Sequence, residues 1–238
     1  MVKTFLKARW ENLIMANYSI DAEILLPFLP QGVELDLYDG KAYVSLVGFI
    51  FKRSRIFNIP IPLMGTFEEI NLRFYVRRKV GDTWRRGVVF INETVPYKSV
   101  AWLANKLYKE HYITIPTKHQ IVFDNLIKSI QYEWKVGESW NHIKVNATID
   151  SREMDRGSLE EFIFEHYYGY TKISDNVSQE YKINHPRWMV NDVTEKSVKC
   201  DFLSMYGHSF SHLSIKEPDS VIIAEGSDIS VDWKRQSF

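Results

Sequence analysis

The sequence predicts an α+β protein in which strands dominate. Alternating apolar and polar runs recur along its 238 residues, several of them separated by short Gly-containing turns. Clear helical periodicity is confined to short segments. Aromatic residues make up 14% of the chain, with 13 Tyr, 14 Phe and 7 Trp, and such residues favour strands.

Residues 4–17 read as either a strand or a short helix. A short helix follows, with Asp21 as N-cap, and Pro30-Gln31-Gly32 makes a turn. Val33, Leu35 and Leu37 alternate with Glu34, Asp36 and Tyr38, and a second strand-like run covers 42–51. Asp39-Gly40 between them is a hairpin signal. Residues 52–64 read as a loop, in which Arg53, Arg55 and an exposed Ile59-Pro60-Ile61-Pro62 run are suited to covering something.

The strand at 67–76 alternates strictly. Ile70, Leu72, Phe74 and Val76 fall on one face, and Glu69, Asn71, Arg73 and Tyr75 on the other. Gly81-Asp82 closes a hairpin to a strand at 86–93. Val100, Leu103, Ala104, Leu107 and Tyr108 form the apolar stripe of a helix over 98–111. The next segment, to His119, is a Pro-punctuated turn presenting Lys118 and His119, with a strand after it at 120–123.

Ile130, Tyr132, Trp134 and Val136 form one face of a further strand. Across Gly137-Glu138, Ile143, Val145, Ala147 and Ile149 form a face of the next. Ser158 and Glu161 make a capping box for a second helix reaching residue 166. The remainder, at 167–172, 178–184, 198–203, 212–215, 220–224 and 229–234, reads as short strands. Both helices end in Glu-His-Tyr, which reads either as coincidence or as two related halves. With no low-complexity linker, one domain over 1–238 is expected.

Composition narrows the function. The 30 basic and 30 acidic residues cancel, which argues against a nucleic-acid partner. Arg77-Arg78-Lys79 and Arg85-Arg86 flank a turn and read as solvated hairpin ends. No apolar run is long enough to span a membrane, and the N-terminus has no signal-peptide pattern. A lone cysteine, Cys200, forms no disulfide within the chain and fits a reducing compartment, so a cytoplasmic location is expected.

Phosphate loops, nucleophile elbows and zincin motifs are absent, so no cofactor is expected. His208 and His212 lie four apart on what reads as a polar strand face, and no metal site is expected there. Glu110 and Glu165 read as helix-end groups. The residues that could carry chemistry are those of the polar strand face and Lys118. A lysine held in an apolar cavity becomes a nucleophilic amine. Glu69 could supply acid or base, and Arg73 could clamp a carboxylate or pair with Glu69.

Several runs, in order, carry a family resemblance: Phe5-Leu6-Lys7-Ala8-Arg9-Trp10, Leu29-Pro30-Gln31-Gly32 with Asp39-Gly40-Lys41-Ala42-Tyr43-Val44, and Phe67-Glu68-Glu69-Ile70-Asn71-Leu72-Arg73-Phe74-Tyr75-Val76. To these are added Gly87-Val88-Val89-Phe90-Ile91-Asn92-Glu93-Thr94-Val95-Pro96, Gly157-Ser158-Leu159-Glu160-Glu161-Phe162, Tyr167-Tyr168-Gly169-Tyr170 and His185-Pro186-Arg187-Trp188. Taken together, the chain resembles the bacterial YqjF-like proteins, conserved and of unknown function, which are similar in fold to acetoacetate decarboxylase. The resemblance implies a cone-shaped β-barrel with a few flanking helices and an internal pocket. It also implies the decarboxylase's lysine run, Gly-Phe-Pro-Lys-Lys after a helix. The matching run here is Thr114-Ile115-Pro116-Thr117-Lys118. Thr117 takes the place of the Schiff-base lysine and Lys118 that of its charged neighbour, a departure that argues against the reaction.

The expectation is a protein binding a small organic ligand, a carboxylate or keto acid among the candidates, with Glu69, Asn71, Arg73 and Tyr75 along the pocket wall. A lyase using Lys118 is the narrower alternative. A non-catalytic structural or regulatory module, including a homo-oligomer, is the other.

Overall fold

The computed structural model describes residues 4–61, 65–233 and 236–238. In chain order the elements are β1 (Thr4–Ile20), α1 (Ala22–Leu25), β2 (Glu34–Leu35), β3 (Ala42–Ile56), β4 (Ile59–Pro60), β5 (Phe67–Val80) and β6 (Thr83–Val95). Next come α2 (Lys98–Tyr108), β7 (Tyr112–Thr114), β8 (Thr117–Phe123), β9 (Ile127–Val136), β10 (Ser139–Arg152) and α3 (Leu159–Phe164). The last are β11 (Tyr168–Ser174), β12 (Val177–Asn184), β13 (Val190–Lys199), α4 (Phe202–Tyr206), β14 (Ser220–Asp232) and β15 (Gln236–Ser237). The fold is strand-dominated α+β.

The fifteen strands among the described residues join one sheet, in the main order β15-β12-β11-β6-β5-β3-β1-β14-β13-β10-β9-β8. An additional ladder, Ile183 with Val231 and Asn184 with Ser230, joins β12 to β14. That pairing closes a ring of ladders through β12, β11, β6, β5, β3, β1 and β14. The central strands β1, β3 and β5 are therefore buried on both faces.

Their alternation builds two cores. Ile70, Leu72 and Phe74 of β5 join Val44, Leu46, Ile14 and Ala16 on one face, where Ile130, Tyr132 and Trp134 of β9 cover them. The close approach depends on Gly48: a Cβ there would lie 2.8 Å from the Tyr132 ring. The opposite face carries Leu13, Met15, Val47, Phe49, Phe51, Phe67 and Tyr75, and it packs toward β6, β12, β14 and the helices α2 and α3.

Local signals explain most boundaries. Asp21 caps α1 by accepting from the Glu23 amide at 3.0 Å, and Ser158 caps α3 through the Glu161 amide at 3.2 Å. Gly81, at φ +58°, makes the tight β5–β6 turn.

Other segments differ from the sequence expectation. Residues 4–17 are strand. The Asp39-Gly40 turn closes only a Tyr38–Lys41 bridge, because β2 pairs with β5 rather than β3. β3 runs on to Ile56 through the expected loop, held by pairing with β1. Residues 62–64 of that loop, and Lys234 at the end of the last expected strand, lie outside the described residues. α2 stops at Tyr108 because Lys109 turns into the left-handed region at φ +58°. His208 and His212 lie exposed on a 3-10 helix spanning His208–Ile215, not on a strand face.

Candidate functional site

The polar face of β5 lines a cavity of about 360 Å³. Register explains how. Phe49 and Val47 of β3 stand opposite Glu69 and Asn71 of β5. Across the other edge of β5, Asn71 faces Glu93 of β6, and Glu93 faces Tyr112 of the parallel strand β7. One row thus runs Val47, Asn71, Glu93, Tyr112 across four strands. A bulge follows: Leu72 pairs with Asn92 and Arg73 with Phe90, leaving Ile91 extra. The bulge brings Phe90 and Glu93, three apart, into the same cavity.

Two further glutamates meet Glu93 there. Glu69, Glu93 and Glu110 are all buried and all line the cavity. Glu110 arrives from the left-handed turn at Lys109, which swings the chain inward after α2. Tyr112 is positioned by Asn105 of α2, whose amide group donates to the Tyr112 carbonyl at 2.9 Å and accepts from its N–H at 2.7 Å. Its phenol donates to Glu69 Oε2 at 3.1 Å, and Asn71 Nδ2 donates to Glu69 Oε1 at 3.0 Å. Glu110 Oε1 accepts from Thr171 at 2.6 Å and from Tyr181 at 2.9 Å.

Burial sets the protonation of this group. Loss of water pushes Glu69 up to about 7, with the Glu110 charge adding to the rise and hydrogen bonds from Asn71 and Tyr112 and the charge of Arg73 opposing it. Burial likewise brings Glu110 to about 7, against the hydrogen bonds of Thr171 and Tyr181. Glu93 is raised well above the ordinary range, first by burial and then by its two carboxyl neighbours. Such groups hold or release protons near neutral pH, the condition for general acid or base work. Among the described lining residues, the buried oxygens Glu93 Oε2, Asn71 Oδ1 and Ser54 Oγ and the buried nitrogens Arg73 Nε and Trp10 Nε1 have no protein hydrogen-bond partner. No cluster among the described residues has the arrangement of a metal site.

Most of the rest of the wall is apolar: Phe5, Trp10, Phe51 and Phe67 line it, with Val100, Leu103 and Ala104 of α2, while Ser54, Ser99 and Arg73 add polar groups. Trp102, 61% exposed, marks where α2 passes from cavity wall to surface.

Of the residues singled out in the sequence, Glu69, Asn71 and Arg73 line the cavity. The Arg73 guanidinium donates through Nη2 to the Ile163 carbonyl at 3.2 Å and to Met15 Sδ at 3.4 Å. Tyr75 is buried beyond the cavity wall, hydrogen-bonded to Ser45 and packed on Phe162 and His166. Lys118 is not brought to the cavity. It lies on β8, half-exposed, paired with Glu133 at 3.2 Å and over the Trp140 ring at 4.3 Å. Its neighbours Thr117 and His119 reach Glu68, next to Glu69 in β5 but outside the lining residues. Glu93, Glu110 and Tyr112 were not legible as site residues. The one available signal was the row of alternation in 87–96, and the bulge hides it.

The strand-dominated α+β fold resembles that of acetoacetate decarboxylase. The fold matches acetoacetate decarboxylase from Legionella pneumophila with a TM-score of 0.64 at 12% identity, covering 95% of this chain and 84% of that one. It matches the enduracididine biosynthesis enzyme MppR complexed with pyruvate with a TM-score of 0.64 at 11% identity, covering 100% and 91%. The chain belongs to the DUF2071 family of uncharacterized conserved proteins, which it matches over residues 7–228. It is also 25% identical over 194 residues to the uncharacterized protein YqjF of Bacillus subtilis strain 168, covering 81% of this chain and 78% of that one.

Proposed function

We propose that this protein binds a small organic molecule in the cavity, its apolar body against the aromatic wall and its polar head at Glu69, Asn71 and Glu93. The observation that carries the reading is the pair of unsatisfied buried oxygens, Glu93 Oε2 and Asn71 Oδ1, on residues lining an otherwise largely apolar cavity. Ligand pockets combine an apolar wall with a few convergent polar groups and enclose roughly 300–1,000 Å³, a range that includes this one. The closed ring of ladders supports describing the scaffold as a single cone-shaped barrel domain around that pocket. The lone buried Cys200 is consistent with a reducing, cytoplasmic setting. No helix among the described residues is long and apolar enough to cross a membrane.

A lyase is the second reading, favoured by carboxyl groups poised at about 7. Its acid or base would be Glu69 or Glu110. No lysine is among the described lining residues, so the geometry gives no support to a Schiff base on Lys118.

The test is a thermal-shift and calorimetric screen of small acids, ketones, alcohols and amines. At least one class is expected to bind the wild type and to lose binding in Ala104→Phe, which fills the cavity from α2. Failure of every class, or binding that survives Ala104→Phe in a folded variant, contradicts the proposal.

A further inference from the structure

Resting on that ligand-binding reading, we infer that the ligand is a single-chain amphiphile, a linear alkyl tail with one polar head, held head inward with its tail running out past Trp102. The order of residues along the wall points this way. On β3, Val47 stands opposite Asn71, Phe49 opposite Glu69 and Phe51 opposite Phe67, and Ser54 and Ile56 continue the same wall. The stretch from Val47 to Ile56 measures up to about 30 Å in extended strand. A cavity of about 360 Å³ drawn out along that wall is a slot, not a globe.

Polarity is graded along the slot. The charged groups among the described lining residues, Glu69, Arg73, Glu93 and Glu110, gather around Asn71. Toward the other end Leu6, Ile56 and Ile61 are aliphatic, and the polar groups of Trp10, Ser54 and Ser99 are uncharged. Exposure is graded in the same direction. Glu69, Asn71 and Glu93 are buried, Leu6, Ile56 and Ile61 are partly exposed, and Trp102 is exposed. Leu6 and Ile56 pair across β1 and β3, and the Ile61 amide donates to the Ser54 carbonyl at 3.2 Å, so these residues meet at one end. Tyr97, at the start of α2, packs edge-on against Phe67, which sets Ser99 and Trp102 near that end. A mouth of aliphatic and indole groups offers a charged tail no partner, while an alkyl tail gains with each methylene it buries. A slot also disfavours a ring-shaped body of equal carbon count. The head then falls at the inner, polar end.

Straight-chain alkanols carry one uncharged head and a tail of chosen length, and cyclooctanol folds the carbons of 1-octanol into a ring. 1-Butanol, 1-hexanol, 1-octanol and cyclooctanol are each titrated calorimetrically into the full chain. Affinity is expected to rise about tenfold at each step from 1-butanol to 1-octanol, with one-to-one binding. 1-Octanol is expected to bind about tenfold tighter than cyclooctanol. Trp102→Ala, at an exposed position, is expected to weaken 1-octanol and leave 1-butanol unchanged. Affinity that levels off after 1-butanol, or cyclooctanol binding as tightly as 1-octanol, overturns the alkyl-tail inference and leaves the cavity reading standing. Trp102→Ala weakening short and long alkanols alike, or neither, also overturns it. So does an absence of alkanol binding when another compound of the screen binds the wild type and not Ala104→Phe. If nothing in the screen or the series binds, both readings fall.

Discussion

Asn71 and Glu93 face each other across the β5–β6 ladder, and each buries an oxygen that no protein group satisfies. Natural cores rarely leave such groups unpaired, because each costs about 1–3 kcal/mol. Here the pair lies beside Glu69 on one wall of a cavity, and the expected consequences can be measured separately.

Glu69 stands at about 7 in the fold against an ordinary 4.5. Between those values the folded protein keeps a proton that the unfolded chain has released. The Glu69 contribution to stability is therefore full below 4.5 and lost as pH rises through about 7. Glu69→Gln removes that loss. Its stability relative to wild type should improve by roughly 1–3 kcal/mol on going from acid to about pH 8. Urea unfolding of both proteins at the two pH values checks this, and a constant difference contradicts it.

His166 works in the opposite sense. Burial depresses it to about 4, although a 3.2 Å hydrogen bond to Asp36 pulls the other way. Its contribution is present above the ordinary 6.5 and lost as pH falls toward 4. Asp36 also accepts from Arg86 Nε at 2.6 Å. Asp36→Ala strips a buried partner from both groups and should cost about 3 kcal/mol in denaturant unfolding. A loss below about 0.5 kcal/mol would show that the cluster is not coupled to the fold.

Gly169 leaves no room for a methyl group, which would collide with the Tyr181 ring. Tyr181 in turn holds Glu110. Gly169→Ala should lose roughly 1–3 kcal/mol of stability and weaken binding in the cavity as Tyr181 is displaced. Equal melting temperatures and unchanged binding would contradict that packing.

Lys118 is an exposed partner of Glu133. Lys118→Ala should change stability by less than about 1 kcal/mol and leave ligand binding intact. Incubation with small keto acids and borohydride should yield no adduct at Lys118 by mass spectrometry. An adduct there would restore the Schiff-base reading.

The α+β class, the β5 alternation and both helix caps were legible because each rests on local periodicity or a side chain bonding within its own turn. Glu69, Asn71 and Arg73 were legible for the same reason. Glu93 was not: the extra residue at Ile91 breaks the two-residue period that would have marked it as facing Asn71. Glu110 was read as a helix-end group because a left-handed lysine gives no signal comparable to glycine. Lys118 was drawn toward the site by its place after a helix. The β8–β9 ladder sets it opposite Glu133 instead, a long-range pairing that no local pattern announces.

The most direct test of the central claim is a crystal structure of the chain with the tightest-binding compound from the screen of small acids, ketones, alcohols and amines. The account predicts that compound inside the cavity, its head within about 3 Å of the Glu93 carboxylate or the Asn71 carbonyl. The compound bound only at the outer surface, with Glu93 and Asn71 untouched, would contradict it.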